Sequence, residues 1–569
     1  MWPRVWPAGL AALLSVVVYL NALNNPFVYD DHDTVVANPS LVDPSNLQFV
    51  LVHSPFRPVV NVSYAFDRVL WGMQPFGFHL TNVILHALVV ALLYALSSVA
   101  LADARARIGP TNGAGEESRD RWWAFTAAAL FAVHPLMSEA VGYVSGRSEV
   151  LCAVFFVGAL LVSRVALLHG GIAWAGVAML WLLALLSKEV ALVFPLVMLA
   201  YDWLLLPDSA SNRSARVFRL YLPCVVLLIV AGAYRLSGAS GPMSSDAPLL
   251  NLWTQSIVIW RYIALAFAPV NQSIMHSVHR VTSLVDVKAL VAVLALLMVM
   301  VTAVLVRHTR PLASFGLLWF LAAIAPSSSV VALREGMAEH RVYLASAGLF
   351  VALAAIVSEA FSRARARPGF GYGVALTAGL AVLGGWTVGR NEVWGDPARL
   401  WREATVHAAG MWEPHYALAD VLRESGDCQS AIREYQTVVK LRPLHRDAFT
   451  NLGICLARVG RGDEAEAALR RALEIDPAFA RGYTNLGALA LTMGDEEGAR
   501  EAYGRAIQVD PGNVLARMQL ARLYETVFGD FHAAARMCGE ARALAPATPG
   551  VAECVERNQR LAAAKDSGR

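Results

Sequence analysis

Charged residues are scarce in this chain, and their scarcity excludes an ordinary soluble protein. Of its 569 residues, only 16% are Asp, Glu, Lys or Arg, whereas 56% are hydrophobic. Soluble domains contain about 25% charged residues, so the composition indicates an integral membrane protein. Charged residues are distributed unevenly along the chain. Up to about Gly389 the chain consists of apolar runs connected by short polar loops, called joints below, and charged residues are frequent after it.

Three other patterns are absent. The six cysteines form no CxxC or other metal-binding spacing, and those of the polar C-terminal part are interpreted as small core residues. The first apolar run lacks an A-x-A-like cleavage site, which predicts a retained helix rather than a signal peptide. The net charge of +3 is spread over short joints, so the sequence predicts no nucleic-acid partner.

Apolar runs of about 20 residues are long enough to cross a bilayer. We predict crossings at 5–23, 78–102, 122–140, 148–168, 171–187, 188–206, 219–237, 287–306, 312–333, 342–361 and 369–389. The arginine-rich joints should be cytoplasmic, which holds with an inside N-terminus only if the Trp-rich and Tyr-rich run 250–270 does not cross. About eleven crossings then place the C-terminal part, and the loop after the first crossing, on the extracytoplasmic face.

The polar C-terminal part is a repeat array. Pro443, Pro477 and Pro511 lie 34 residues apart, and Asn-Leu-Gly recurs at the same step at 451 and 485. This is the tetratricopeptide pattern, whose helix pairs stack into a concave surface that commonly binds a peptide or an extended segment. A purely structural spacer is the alternative. The predicted domains are a membrane bundle (1–390), a connector helix (391–411), repeats at 412–445, 446–479, 480–513 and 514–546, and a tail (547–569).

The first outward loop contains an acidic stretch with Asp30, Asp31 and Asp33. A carboxylate beside a bilayer is costly to desolvate, so a functional role in a wet cavity is favoured over simple solvation of the loop. The next crossing begins with His79, Asn82 and His86 on one helix face. That spacing could bind a metal, but hydrogen bonding inside the bundle is preferred.

The later outward joints carry His, Arg and Lys beside carboxylates, whereas the inward joints carry mostly arginine. Arginine and lysine donate to phosphate oxygens, so this asymmetry favours an outward site for a phosphate-bearing substrate. The site candidates of these joints, and of the loop after the first crossing, are Arg57, His134, Glu139, Arg147, Lys188, Glu339, His340, Arg341 and Tyr343.

The order of motifs resembles a known family. The matching segments are FVYDDHDTVVANP, FRPVVNVSY, FHLTNVILH, HPLMSEAVGYVSGRSE, LLSKE, IAPSSS and AEHRVYLASAG, followed by the repeats. Together they are similar to the transmembrane and tetratricopeptide repeat-containing (TMTC-like) protein O-mannosyltransferases, which have the GT-C glycosyltransferase fold. The short array and compact loops predict a bacterial member, in the cell membrane. The family motif reads roughly AER-x-LYLPS, so the shifted Arg341, and Ala345 in place of proline, put the role of Arg341 in doubt.

The resemblance implies transfer of mannose, or another hexose, from a polyprenyl-phosphate carrier to a hydroxyl group, with Ser or Thr of a protein as the expected acceptor. One carboxylate takes the acceptor proton while cations stabilise the departing phosphate. The family's acidic pair maps onto Asp30 and Asp31, with Asp30 preferred as the base. The candidates for the phosphate are Arg57, Arg147, Lys188 and Arg341, and the expected site lining is Asp33, His79, Asn82, His86, His134, Glu139, Glu339, His340 and Tyr343.

Several alternatives stay open. Some enzymes of this fold use a divalent cation and others do not, and the sequence leaves the metal unknown. The acceptor could be a glycan or a lipid, with the repeats recruiting a partner protein. A non-catalytic scaffold for envelope assembly, anchored by the membrane bundle, is the rival from another class.

Overall fold

The computed structural model describes residues 6–108, 116–207, 248–328, 333, 335–363 and 370–568. Within these ranges every regular element is helical, which confirms the predicted all-α class. The chain divides into two units, Met1–Leu400 and Trp401–Arg569. The helices of the first unit are α1 (Trp6–Tyr19), α2 (Leu47–His53), α3 (Pro58–Trp71), α4 (Pro75–Ile108), α5 (Glu116–Val133), α6 (Ser138–Val141), α7 (Arg147–His169), α8 (Ala173–Leu185), α9 (Phe194–Leu204), α10 (Pro248–Phe267), α11 (Val287–Leu305), α12 (Pro311–Ile324), α13 (Tyr343–Arg363) and α14 (Phe370–Trp394).

Several helices are long and apolar enough to cross a membrane. Five qualify among the described residues, in α4, α7, α11, α13 and α14, and a sixth results if α5 and the turn to Val141, bent by 55°, form one span. The chain is therefore a multi-pass membrane protein. The run 219–237 lies outside the described residues, so the predicted number of about eleven crossings stays a prediction.

Four predicted crossings, at 5–23, 171–187, 188–206 and 312–333, correspond to helices shorter than the sequence interpretation gives them. The runs 171–187 and 188–206 contain α8 with 13 residues and α9 with 11. They are separated by Ser187-Lys188 and a 3₁₀ turn, Glu189–Val193, and Pro195 occupies the start of α9. A charged pair and a proline interrupt the helix here, because proline removes a backbone donor. The run 250–270 forms α10, which is not among the five long apolar helices.

Two glycines permit the close packing of α12 against α13. A Cβ atom on Gly316 would lie 2.5 Å from the Gly348 oxygen, and one on Gly348 would lie 2.7 Å from the Gly316 oxygen. Small residues at such crossings let helix backbones approach, which is how helices associate where lipid supplies no hydrophobic drive.

Side-chain amides join the ends of α1 and α14. Asn391 donates to the Val18 oxygen at 2.9 Å and to the Asn21 side chain at 3.0 Å. Asn21 donates to the Val388 oxygen at 2.9 Å, and Asn25 donates to the Asn391 oxygen at 3.1 Å. The segment that leads into the acidic stretch is thus anchored on the last helix of the first unit.

The second unit is an array of helix pairs. Its elements, after the linking helix α15 (Pro397–His407), are α16 (Trp412–Glu424), α17 (Cys428–Leu441), α18 (Arg446–Arg458), α19 (Gly462–Ile475), α20 (Ala480–Thr492), α21 (Glu496–Val509), α22 (Val514–Leu523), α23 (Phe531–Leu544) and α24 (Val551–Asp566). Ala431, Ala465 and Ala499 are fully buried, which lets paired helices approach each other. Gly426 and Gly460 have positive φ angles of 90° and 79° at the turns between paired helices, where glycine is unstrained.

A disulfide closes the C-terminal end of the array. Cys538 of α23 is bonded to Cys554 of α24, with 16 residues between them in sequence. Both cysteines are buried, as the interpretation as core residues predicts, and the bond between them was not part of that interpretation. Cys428 and Cys455 are buried and free, as that interpretation expects.

Candidate active site

The acidic stretch forms a sharp turn whose centre is Asp31. Its Oδ1 accepts hydrogen bonds from the Ser145 N–H at 2.7 Å and the Ser145 hydroxyl at 2.6 Å. Its Oδ2 accepts from the Val28 N–H at 3.1 Å. Tyr29 has a positive φ of 51°, which is strained for a bulky residue and is held by these contacts. Asp31 therefore fixes the turn against the loop that precedes α7.

Burial and hydrogen bonding act on Asp31 in opposite directions. Its side chain is fully buried, and burial raises the pKa of the carboxyl group to about 7, against the hydrogen bonds from Ser145 and Val28 that lower it. Asp31 is thus partly protonated near neutral pH.

Asp30 and Asp33 face outward from the same turn. Both are exposed, and the Asp30 N–H donates to the Tyr143 hydroxyl at 3.0 Å. Tyr143 stacks on Trp394 with 5.3 Å between ring centroids. The structure therefore gives the two neighbouring aspartates different surroundings, one buried in the turn and one exposed on it.

Arg147 does not reach a substrate site. Its guanidinium is fully buried and lies 2.5 Å from the Asp67 carboxylate. It also donates to the Asn82 side chain and the Phe78 oxygen, both at 2.7 Å, and lies over the Tyr64 ring. The prediction of Arg147 as a phosphate ligand is corrected here, because these groups enclose the guanidinium. It joins α3, α4 and α7 behind the acidic stretch.

The polar face of α4 is used for hydrogen bonds inside the bundle, as the preferred interpretation held. His79 contacts the Asn25 oxygen at 3.1 Å, and Asn82 donates to the Tyr143 oxygen at 3.1 Å. His86 contacts the Tyr343 hydroxyl at 2.7 Å. Among the described residues, no three His, Cys, Asp or Glu side chains are grouped to hold a metal ion.

His134 is likewise held within the bundle. It contacts the Ala266 oxygen at 3.1 Å and accepts from the Leu136 N–H at 3.2 Å. It orients the 3₁₀ turn Pro135–Met137, which leads into α6 and Glu139.

Two carboxylates of the later joints lie side by side. Glu139 Oε1 is 2.6 Å from His340 Nδ1, and its Oε2 accepts from the Glu339 N–H at 2.9 Å. Glu339 accepts from the Gln272 amide at 2.7 Å and contacts His276 Nε2 at 2.8 Å. Gln272 and His276 lie in the loop after α10, which the sequence interpretation did not include. Polar residues packed closely after an apolar helix are the sequence feature that could have pointed to them.

The three other predicted phosphate ligands differ in exposure. Arg57 lies 3.3 Å from Glu189 and is 41% exposed. Lys188 forms a buried ion pair with Glu149. The guanidinium of Arg341 donates to the Glu335 backbone oxygen at 2.8 Å.

One set of contacts joins Arg341 to the acidic stretch, and a second contact joins Arg57 to the loop of Lys188. The Tyr29 hydroxyl donates to the Glu335 carboxylate at 2.8 Å, and Glu335 also contacts Arg341. The Arg57–Glu189 pair brings the loop before α3 to the residue that follows Lys188. The acidic turn and Arg341 are therefore joined through Glu335, and Arg57 is joined to the loop of Lys188. Glu335, Tyr143, Ser145 and Asp67 belong to this arrangement and were missed, because only the folded chain pairs them with their partners.

Comparisons with known proteins agree with the motif order. Tetratricopeptide-repeat families match residues 416–478 and 480–513. The human protein named "Protein O-mannosyl-transferase TMTC1" is 28% identical over 79% of this chain. A Caenorhabditis elegans "Protein O-mannosyl-transferase F38B6.6" is 24% identical over 76% of it. The chain is therefore similar to the TMTC-like protein O-mannosyltransferases over most of its length.

The chain spans only part of the length of the relatives it matches. It spans 57% of the human protein and 62% of the nematode protein, or about three fifths of their lengths. Among solved structures, MamA of Desulfovibrio magneticus RS-1 is 26% identical over 27% of this chain and 85% of its own, with a TM-score of 0.25.

Proposed function

We propose that this chain is a membrane glycosyltransferase that moves mannose, or another hexose, from a polyprenyl-phosphate carrier to a Ser or Thr hydroxyl of a polypeptide. The names of its relatives support the reaction class. The structural observation that carries the proposal is the contact of the acidic turn with the Arg341 segment through Tyr29 and Glu335, together with the Arg57–Glu189 contact that joins Arg57 to the loop of Lys188.

The chemistry assigns different tasks to the two aspartates. Asp30 is exposed at the start of the turn, so it takes the proton of the acceptor hydroxyl as that oxygen bonds to the sugar carbon. Asp31 holds the turn in shape through Ser145 and Val28. Arg57, Lys188 and Arg341 stabilise the phosphate, whose charge grows as the glycosidic bond breaks.

Activity of matched variants tests the proposal. The full chain in lipid nanodiscs is supplied with polyprenyl-phosphate mannose and an acceptor peptide, and glycopeptide is measured by mass spectrometry. Asp30→Asn should lower turnover by about a hundredfold or more. Asp43→Asn, which changes another exposed aspartate of the same loop, should retain most of it. Wild-type turnover in Asp30→Asn would refute the base, and no transfer by the wild-type chain from any polyprenyl-phosphate hexose would refute the function.

We further propose that the site and the repeat unit lie on the extracytoplasmic face. The arginine-rich joints support this orientation, and so does the Cys538–Cys554 disulfide, because structural disulfides persist mainly in oxidising compartments. In whole cells, a cysteine introduced at Arg470, which is 64% exposed, should react with a membrane-impermeant thiol reagent. Labelling only after the membrane is broken would contradict this orientation.

The repeat unit is proposed to hold the polypeptide acceptor. Tethering raises the acceptor's effective concentration near the site without any catalytic contact. Removal of residues 411–569 should therefore lower transfer to a full-length protein much more than transfer to a short peptide. Equal losses for both acceptors would contradict the recruiting role.

Measuring the same reactions with a chelator shows whether a divalent cation is required.

A further inference from the structure

The loop after the first predicted crossing contains two helices, α2 and α3, whose open sides are apolar. α3 buries Asn61 and Asp67 against the rest of the first unit. Its opposite side carries Leu70, Phe66 and Val69, the last two 61% and 67% exposed within the part of the chain that the structure describes. A helix at a water surface turns its polar side outward. α3 has the reverse arrangement, so its open side is suited to an apolar medium.

The apolar side of α3 extends along the whole helix. Val59, Val62, Phe66 and Val69 are spaced three or four residues apart, so they share one helix face. Val59 lies in the first turn and Val69 in the last. The helix therefore presents an apolar side rather than an apolar end, which fits a surface that runs parallel to its axis.

The shorter helix α2 adds to the same kind of surface. Its buried residue is Val50, whose backbone oxygen accepts a hydrogen bond from Asn61 of α3. Its exposed apolar side chains are Leu47, Phe49, Leu51 and Val52. These side chains, with Phe66, Val69 and Leu70 of α3, are called the apolar face below. Exposed apolar surface of this extent marks a contact with a membrane or with another protein.

The end of α3 is fixed at the start of a membrane-spanning helix. α4 contains the candidate span Pro75–Arg107, and three residues separate it from α3. Gly72, with a φ of 62°, turns the chain between the two helices. The Trp71 ring packs on the first turn of α4, where a Cβ atom on Gly77 would overlap it, and its centroid lies 5.8 Å from that of Phe76. Aromatic side chains are enriched at this level of a membrane protein.

The apolar face is continuous with the side of α4 that meets lipid. The residues of that side are spaced four apart, and they are Phe76, Leu80, Ile84 and Leu88. Phe76, Ile84 and Leu88 are exposed, as side chains of a spanning helix are where they contact acyl chains. The contact between Phe76 and Trp71 joins this side to the end of α3. One apolar surface therefore passes from the span to the loop.

We propose that the apolar face of α2 and α3 lies in the bilayer surface, with the axis of α3 parallel to the membrane. Helices of this kind bury their apolar side about 5–10 Å deep, at the boundary between head groups and acyl chains. The bilayer is the occupant because the face continues the lipid-facing side of α4. Arg57 directly precedes α3, so this position holds its guanidinium at the depth of the lipid phosphates. The inference goes beyond the proposed glycosyl transfer and does not depend on it.

The depth of two labels on α3 tests the proposal. Val59→Cys and Val69→Cys are labelled with an environment-sensitive fluorophore in the full chain, in nanodiscs whose phospholipids carry a nitroxide at a shallow or a deep acyl position. Both labels should lose about half of their fluorescence to the shallow nitroxide and less to the deep one. The two positions lie about 15 Å apart along the helix, yet they should report the same depth.

A label in the second unit is the matched control. Arg470→Cys places the fluorophore on an exposed helix surface, so aqueous iodide should quench it and nitroxide lipid should not. The unsubstituted chain measures any labelling of the native cysteines. A Val69 label that iodide quenches and lipid does not would overturn the proposal. So would labels at Val59 and Val69 whose depths differ by about 15 Å, since α3 would then stand upright.

The unmodified chain gives a second measurement that needs no substitution. A phospholipid with a photoactivatable diazirine near its head group is added to the nanodiscs, and lipid adducts are mapped by mass spectrometry. Adducts should be found on residues 47–71 as well as on α4. Adducts on α4 without any on 47–71 would overturn the proposal, as would protection of 47–71 only in nanodiscs that hold two copies of the chain. Neither measurement uses turnover, so failure of the proposed function is seen separately.

Discussion

In the first unit, Arg147 and Asp67 face each other with both side chains fully buried, 80 residues apart in sequence. In the second unit, Arg470 and Glu466 form a pair one helical turn apart, at 64% and 36% exposure. The buried pair costs several kcal/mol in lost hydration and is kept only where many contacts repay it, whereas the exposed pair is nearly neutral in energy. The Arg147–Asp67 pair of the first unit therefore holds three helices together behind the acidic stretch, and the Arg470–Glu466 pair of the second mainly keeps a helix surface soluble.

The largest effect should come from breaking the buried pair. Arg147→Met leaves the Asp67 carboxylate buried without its partner, which should destabilise the chain by about 3–5 kcal/mol. Thermal unfolding in detergent measures this loss. Adding Asp67→Asn to the variant should recover part of it, because the unpaired charge is then gone. Equal unfolding temperatures for Arg147→Met and the wild-type chain would show that the pair does not hold α3 on α7.

Loss of the disulfide should have the next largest effect, confined to the second unit. Cys538→Ser opens a link that spans 16 residues, and links of this length stabilise by about 3 kcal/mol. Limited proteolysis of the full chain should then release α24 first. Reductant should reproduce this cleavage in the wild-type chain and add nothing in the variant. Cleavage in the first unit instead would contradict the assignment.

Asp31 should give the first unit a pH-dependent stability that exposed pairs cannot provide. Its folded pKa of about 7 lies above the ordinary 3.8, so the folded chain holds the proton more tightly than the unfolded chain. The contribution is complete below about pH 4 and is lost as the pH rises to about 7. Asp31→Asn lacks this titration, so its stability relative to the wild-type chain should improve across that window. An equal difference in unfolding free energy between Asp31→Asn and the wild-type chain at about pH 4 and at about pH 7 would refute this.

The smallest effect should come from the exposed pair. Arg470→Ala should change the free energy of unfolding by less than about 0.5 kcal/mol, because the pair is solvated and screened by salt. Thermal unfolding at low and high salt measures this. A loss comparable to that of Arg147→Met would remove the distinction between the two units.

Local patterns were readable from the sequence, and pairings across the chain were not. Pro443, Pro477 and Pro511 are spaced 34 residues apart, which is the length of one helix pair, so the repeat array could be predicted. The α4 face of His79, Asn82 and His86 follows equally from helix geometry. By contrast, the sequence around Arg147 is the same whether its side chain binds a phosphate or pairs with Asp67. Only the fold shows that α3 brings Asp67 to it, and the same holds for His340 with Glu139 and for Cys538 with Cys554.

The amide contacts between α1 and α14 also have a consequence for biosynthesis. Asn21 and Asn25 are made early, but their partners at Val388 and Asn391 leave the ribosome only after every other helix of the first unit. The base of the acidic turn thus remains without its anchor during most of translation. We expect the turn to reach its final shape only once the last span has been inserted, so the candidate site is not assembled in a nascent chain before the first unit is complete.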